Sequence, residues 1–453
     1  MSVIGGGLAG LSAAIACADA GAEVDLFEAR PRLGGATWSF SRNGLAYDNG
    51  QHVYLRCCAA YRRFLERLDT AALAPLEGAL RIPVYAPGTA GGPPRRALLA
   101  RDGLPAPLHL ARSLLGYSHL GLRDRLGLGR VLGALGALSL ADPVLDSETF
   151  GAFLRRHGQS DRAIHALFDL IVLPTTNLRS DEVSLALAAK VFKTGLLEEP
   201  DAADIGWARA PLSAVHVDPA HRLLEQLGGR VHRRAKVEAI ELAAAAPAAV
   251  RVGGEAVACD AVVVAVPQPA AVALLDPLGA ERPSPLLADE PIIDLHFVFD
   301  RRVLDEPLAA AVGSPVQYVF DRTEASGLTG PGQCIALSVS GAEAEIGERP
   351  EVLRTRYLEA LGALFPRVRT AEVVDFVVSR EHEATFRGVP GTAALRRGVE
   401  TGHRGVYLAG AWTDTGWPAT MEGAVRSGTR AAWHALVGLG ARRGLPALEE
   451  EAA

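Results

Sequence analysis

Lysine is almost missing from this chain: Lys190, Lys193 and Lys236 stand alone among 46 basic residues. Arginine supplies the rest, a bias that follows codon composition because lysine codons are A-rich. Against 52 acidic residues the net charge is −6, so no basic surplus marks a nucleic-acid partner. Cysteine is scarce too. Cys17, Cys57, Cys58, Cys259 and Cys334 are odd in number and never spaced Cys-x-x-Cys, which argues against a disulfide framework or a thiolate metal site. Reduced thiols are expected, the vicinal Cys57-Cys58 reads as two buried helix residues, and no metal is expected. No apolar run approaches the roughly 20 residues needed to cross a bilayer, and no leader fits ahead of a strand that begins at residue 3. That strand has so little before its glycine turn that we expect the native start a few residues earlier. A cytoplasmic protein, soluble or resting on the inner face of the membrane, is the expectation. With 453 residues the chain exceeds one simple core, and two domains are expected.

What is abundant is glycine in one arrangement. Val3-Ile4 runs into Gly5-x-Gly7-x-x-Gly10, a small-residue helix follows with Leu8, Leu11, Ile15 and Ala18 on one face, and Gly21 breaks it. Glu23 to Phe27 reads as the next strand, closed by Glu28, 18 residues after Gly10. The first glycine permits the tight turn, the second lets backbone approach a pyrophosphate, and the third seats helix on strand. The N–H groups of Leu8 and Ala9 open a helix whose positive end suits phosphate. The Glu28 carboxylate suits two ribose hydroxyls and would repel a 2′-phosphate. Ala29 then leads through Arg30-Pro31-Arg32-Leu33 to a second glycine turn, Gly34-Gly35. A Glu-x5-Gly-Gly run of this kind typifies the FAD-binding branch of the fold, so FAD is the expected nucleotide.

Further on, Asn43-Gly44 signals a hairpin, and Asp48-Asn49-Gly50-Gln51-His52 follows. Asp48 and Asn49 suit local backbone capping; Gln51 and His52 have less local purpose. A helix is expected over about Cys58 to Leu68, a loop over Ala86 to Arg96, and a Leu/Gly/Arg-rich helical block over Leu104 to Leu140. In that block Leu104, Leu108, Ala111, Leu115 and Leu122 recur near helical spacing, interleaved with Arg112, Arg123, Arg125 and Arg130. It reads as a packed helical subdomain or as a surface lying on a membrane. Helices continue over Phe150–His157, over Asp161–Leu173 closed by Pro174, and over Ser184 to Leu197. Strands return at Arg230-Val231 and Lys236–Ile240. The apolar run Asp260–Pro267 suits a strand buried on both faces. Strands near Ile292–Phe299, Val316–Phe320, Cys334–Ser340 and Val373–Ser379, with a helix around Glu351–Leu364, suggest an antiparallel wall for a substrate pocket. The expected architecture is α/β: a Rossmann-type FAD-binding domain (1–80, 205–270 and 385–440) interleaved with a substrate domain of mixed or antiparallel sheet plus helices (81–204 and 271–384), and a tail (441–453).

The chain closes on Gly405–Gly410, the loop Ala411-Trp412-Thr413-Asp414-Thr415-Gly416-Trp417-Pro418-Ala419, and a helix from about Thr420 through Met421-Glu422-Gly423-Ala424. A helix N-terminus there suits the electron-rich N1/C2 carbonyl edge of a flavin. The glycine motifs, Asp48–His52 and the segment Trp412–Ala424 together resemble the hydroxysqualene dehydroxylases, within the flavin amine oxidase and phytoene desaturase superfamily, over essentially the whole chain. Two positions depart from many relatives: Ala36 where an arginine follows the second glycine turn, and Ala411 where an aspartate follows Gly410.

The resemblance implies FAD held by Gly5, Gly7, Leu8, Ala9, Gly10, Glu28, Ala29, Gly34, Gly35, Gln51, Gly410, Met421 and Glu422, with the backbone of Val237 at the adenine. It also implies reductive removal of an allylic hydroxyl from hydroxysqualene, giving squalene for hopanoid or other triterpene biosynthesis. The leaving hydroxide needs a proton and the developing allylic cation a dry pocket. His52 and Asp414 are the candidates for proton delivery or for polar contact with the cofactor. The alternatives are a carotenoid desaturase working oxidatively, an amine oxidase, or a non-enzymatic flavoprotein scaffold. Gly127-x-Gly129-x-x-x-Gly133 misses the dinucleotide spacing, so electrons are expected from an external donor. An isoprenoid substrate and peripheral membrane contact complete the expected partners.

Overall fold

The computed structural model describes residues 1–89, 92–243, 246–279, 286–441 and 444–447. A five-stranded parallel sheet runs in the order Val406–Leu408, Val262–Val264, Ser2–Ile4, Asp25–Glu28, Arg230–Arg233. In chain order the first strand is central, the second and third lie to one side, and the fourth and fifth to the other. The winding therefore reverses between Ser2–Ile4 and Val262–Val264, where a doubly wound sheet opens a crevice at the carboxyl ends of its strands. Val3, Val262, Val263 and Val264 are fully buried, as a strand covered on both faces requires. The first helix, Leu8–Asp19, and the last, Met421–Gly438, pack against each other and both against this sheet. The two helices meet through Gly428, where a Cβ would stand 2.1 Å from the Ala9 carbonyl oxygen.

A second, mixed sheet has seven strands, ordered Val373–Phe386, Asp289–Phe299, Gln333–Ser340, Tyr318–Asp321, Leu308–Ala311, Arg81–Ala86, Arg95–Ala100. Every pairing is antiparallel except that of Leu308–Ala311 with Arg81–Ala86. Alternation along Asp289–Phe299 sends Ile293, Leu295 and Phe297 into a core shared with Leu353, Tyr357 and Leu361 of the helix Pro350–Leu364. Asp294 and His296 therefore face the other way, toward the Asp48–His52 turn. A helical layer around Phe150, Phe153, Phe168 and Phe192 adjoins this sheet through Val84 and Ala310.

The Asn43-Gly44 hairpin forms between Ser39–Arg42 and Leu45–Asp48, both turn residues having positive φ. Other details differ from expectation. The Ala86–Arg96 loop is shorter, because Arg95–Ala100 pairs with Arg81–Ala86 and only the Pro/Gly-rich centre is left between them. Leu308–Ala311, alanine-rich and poor in β propensity, is a strand because its neighbours bury it. Pro174 does not close its helix. Asp169–Thr176 runs past it to Asn177, whose φ is +62°. Proline deprives the Leu170 carbonyl of its helical donor, and the Tyr318 hydroxyl supplies one at 2.8 Å instead. The Leu104–Leu140 block breaks into Leu108–Leu110, Ala111–Leu115 and Leu122–Gly136. In the last of these Leu128, Val131 and Leu135 pack inward, while Leu122 and Leu126 are 66% and 68% exposed. The five cysteines are free thiols, and Cys58 precedes its helix rather than lying within it. Most of the expected tail, 442–443 and 448–453, lies outside the described residues.

Candidate active site

The floor of the site is two glycine turns stapled together. Gly5 has a φ of +106°, and a Cβ on it would lie 2.3 Å from the Ala265 carbonyl oxygen. On Gly10 a Cβ would stand 1.8 Å from the Gly5 carbonyl oxygen. The helix beginning at Leu8 has no side-chain cap. Among the described residues nothing accepts from the N–H groups of Gly7, Leu8 or Ala9, so three donors converge at the positive end of a helix. Gly34 N–H donates to the Gly6 carbonyl at 2.8 Å. A Cβ on Gly35 would stand 3.0 Å from Gly7 Cα, so the second turn lies directly against the first.

Glu28 ends its strand buried beside this floor, with Ala29 exposed next to it. Its Oε2 accepts from Gly6 N–H at 2.8 Å and its Oε1 from Arg30 N–H at 2.7 Å. Each oxygen keeps lone-pair capacity for a ribose hydroxyl. Arg234 N–H donates to Arg30 O at 3.1 Å and Ala235 N–H to Glu28 O at 2.9 Å, which brings the start of the Val237 strand to the same edge. Val237 packs in one apolar cluster with Ile4 and Phe27. Uncapped donors, a positioned carboxylate and backbone without side chains are what a dinucleotide pyrophosphate and its ribose need, and they fit FAD.

The Asp48–His52 turn forms a second wall. Asp48 and Asn49 are structural. Asp48 is ion-paired to buried Arg322 at 2.6 Å and accepts from Ser39 Oγ and Leu212 N–H. Asn49 accepts from Trp38 N–H and donates to Ala36 O and Glu381. Gln51 N–H donates to Asp294 Oδ1 at 3.0 Å. Burial pushes the Asp294 carboxyl well above the usual carboxylate range, and the charge of Asp48 adds to this. Asp294 was not singled out from sequence; its only signal is a polar residue alternating with apolar ones along a strand.

His52 lies deep enough that desolvation lowers its pKa, yet it keeps accessible surface, so it faces an internal space. Its Nδ1 is 3.1 Å from the Gly50 carbonyl, which can only accept; Nδ1 therefore carries the proton and Nε2 is a bare acceptor. His216 arrives on the π-helical turn Ser213–Val217 and sits 2.6 Å from the Tyr61 hydroxyl through Nε2. Burial, then the neighbouring His52, pulls its pKa down to about 3. Gln51 Nε2, Asp294 Oδ2 and His216 Nδ1 are buried without a partner among the described residues. Three orphaned polar atoms in this neighbourhood mark a place built for a polar ligand.

The third wall is the loop after Val406–Leu408. Gly410, at φ +141°, donates its N–H to Ser427 Oγ at 2.8 Å, and a Cβ there would lie 2.6 Å from Trp412 Nε1. Arg396, unannounced by any sequence signal, threads the loop and donates to the carbonyls of Ala411, Trp412 and Thr413. Burial lowers its pKa to about 10. Thr420 caps the last helix by accepting from Gly423 N–H at 3.1 Å, and among the described residues the N–H groups of Met421 and Glu422 have no acceptor.

The structure adds detail at two of the expected residues. The Glu422 carboxylate is already engaged: it accepts from Ala60 N–H at 3.2 Å and Tyr61 N–H at 2.8 Å, at the uncapped start of the helix Ala59–Arg67, and from Arg426 Nε at 2.6 Å. That leaves only its backbone for a cofactor. Asp414 is exposed, its Oδ1 accepting from Gly416 N–H at 3.3 Å across a surface turn, so it does not share the interior setting of His52.

Comparison with known proteins agrees with this geometry. The model of the family of flavin containing amine oxidoreductases matches residues 8–436. A hydroxysqualene dehydroxylase of Sinorhizobium fredii is 30% identical over 440 residues, 96% of this chain and 97% of that protein. One from Rhodopseudomonas palustris is 32% identical over 438 residues, 95% and 96% of the two chains. Among solved structures, an oxidoreductase from Methanosarcina mazei shares the fold with a TM-score of 0.74 at 18% identity, covering 95% of this chain and 98% of that one. With a glycine cradle, a buried carboxylate at the strand end and backbone donors without acceptors at two helix starts, the chain belongs to the flavin-containing amine oxidoreductases, in the hydroxysqualene dehydroxylase family, and is an FAD-dependent oxidoreductase.

Proposed function

We propose that this enzyme reductively removes the allylic hydroxyl of hydroxysqualene and yields squalene, within triterpene biosynthesis. The observation that carries the reading is similarity to hydroxysqualene dehydroxylases along almost the whole chain. The orphaned polar atoms around Gln51 support it. The N–H groups of Gly7, Leu8 and Ala9, over the turns at Gly5, Gly10, Gly34 and Gly35, hold the pyrophosphate. Glu28 with Ala29 takes the ribose, Val237 the adenine, Gly410 the ribityl side, and the N–H groups of Met421 and Glu422 the electron-rich edge of the ring. Reduced FAD supplies the hydride.

His52, neutral with Nε2 bare, accepts a hydrogen bond from the substrate hydroxyl or the cofactor and orients it. Asp294 holds a proton at Oδ2 behind the same turn. Asp414 stabilises the loop and takes no proton from or to the interior. The domain division 1–80, 205–270 and 385–440 against 81–204 and 271–384 is supported by sheet membership: each strand of the parallel sheet falls in the first set and each strand of the seven-stranded sheet, apart from the end of Val373–Phe386, in the second. No helix of the described residues is long and apolar enough to cross a membrane. The exposed leucines at 104, 108, 115, 122 and 126, beside exposed Arg112, Arg123 and Arg130, support peripheral contact with an anionic bilayer that delivers the substrate. Electrons come from an external donor.

The test is product identification under two redox states: reduced enzyme with hydroxysqualene without oxygen, and oxidised enzyme with phytoene and with an amine. Squalene from the first alone is expected. Desaturated carotenoid or aldehyde from oxidised enzyme, with hydroxysqualene untouched, contradicts the reading.

A further inference from the structure

Arg32 lies between the two glycine turns in sequence and makes no ion pair among the described residues. It is half-buried, with Cζ 3.7 Å from the centre of the Trp38 ring. It makes one hydrogen bond, from Nη1 to the Gly35 carbonyl at 3.2 Å, and among the described residues no carboxylate lies within ion-pairing distance. Glu381 and Glu28 act on it only through space, and Glu381 Oε1 is taken by Trp38 Nε1 at 3.2 Å and Asn49 Nδ2 at 2.8 Å. A partly desolvated cation without a counter-ion is costly unless a ligand provides one. The carbonyl it holds belongs to Gly35, whose Cα packs against Gly7 in the donor cradle. Ala36, the next residue, is exposed and offers only a methyl group.

We propose that Arg32 is the charge partner of the cofactor's pyrophosphate, doing from two residues before Gly34 the work that an arginine at position 36 would do. A guanidinium is planar, and one held over an indole presents its remaining N–H groups in one plane, the arrangement suited to two phosphate oxygens. The single hydrogen bond to Gly35 anchors it to the floor on which that anion rests. This rests on reading Gly5–Gly10 as the pyrophosphate cradle.

The experiment titrates flavin-free protein with FAD, following the quenching of flavin fluorescence at two ionic strengths, and melts the flavin-free proteins in parallel. Loss of one charge-assisted contact predicts that Arg32→Ala weakens FAD binding about ten- to a hundredfold, with a shallower salt dependence and an unchanged melting temperature. Ala36→Arg added to Arg32→Ala restores most of the affinity. Unchanged FAD affinity in Arg32→Ala overturns the proposal. So does a lowered melting temperature with no recovery from Ala36→Arg, which would make Arg32 a packing partner of Trp38. Gly10→Ala separates the two ideas: FAD retained there overturns the cradle itself, whereas FAD retained in Arg32→Ala alone overturns only the arginine's part.

Discussion

Glu422 gives a sharp test of how the site is built. Its side chain is 1% exposed and joins three elements: the last helix that carries it, the start of Ala59–Arg67, and Arg426 one turn along. Glu422→Ala strands two backbone N–H groups at a helix end that has no other cap and leaves Arg426 buried without its partner. Removing one member of a buried pair costs about 3–5 kcal/mol. Glu422→Gln keeps the shape and one acceptor, and loses about 1.5–3 kcal/mol, the range for a hydrogen bond to a charged group. Both losses appear in the flavin-free protein. Urea denaturation of flavin-free wild type and variants, followed by far-ultraviolet circular dichroism, reads them directly. Flavin-free Glu422→Ala with the wild-type midpoint, combined with lost FAD affinity, would refute this and make the carboxylate a cofactor ligand.

Three other outcomes are expected. Gly10→Ala puts a Cβ 1.8 Å from the Gly5 carbonyl oxygen, so the purified variant carries little flavin by absorbance; a full complement would contradict the cradle. Burial pulls the His216 pKa down to about 3, from 6.5 when unperturbed. Because the unfolded chain takes the proton first, its contribution is intact above pH 6.5 and is lost as pH falls toward 3, by about 5 kcal/mol at most; His216→Gln should flatten that limb of the urea midpoint against pH. Leu122→Asp with Leu126→Asp should abolish co-sedimentation with anionic liposomes while leaving the melting temperature within about 2 °C, because both side chains point outward; unmodified protein that ignores liposomes would end the membrane reading.

The nucleotide half was legible because its signals are local: glycines where φ is positive or a Cβ has no room, an acid at a strand end, a helix start near Thr420. The second wall was legible as a stretch but not as roles, because burial decides them. Asp48 reads in sequence as a local backbone cap and is tied instead to Arg322, 274 residues away. Glu422 was legible for its place at a helix start, but not for its carboxylate, which caps a helix 362 residues away. Asp294 and Arg396 act through long-range contacts that periodicity does not encode. Pro174 misled for the same reason, since the hydroxyl that rescues its helix belongs to Tyr318 on another sheet strand.

Stoichiometric reoxidation of the flavin tests the central claim most directly. The enzyme is photoreduced without oxygen, mixed with one equivalent of hydroxysqualene, and followed by flavin absorbance while the extract is analysed for squalene. The account predicts reoxidation matched mole for mole by squalene, in a single turnover and without added nicotinamide. Flavin that stays reduced in the presence of hydroxysqualene, in an enzyme whose oxidised form consumes phytoene, would contradict it.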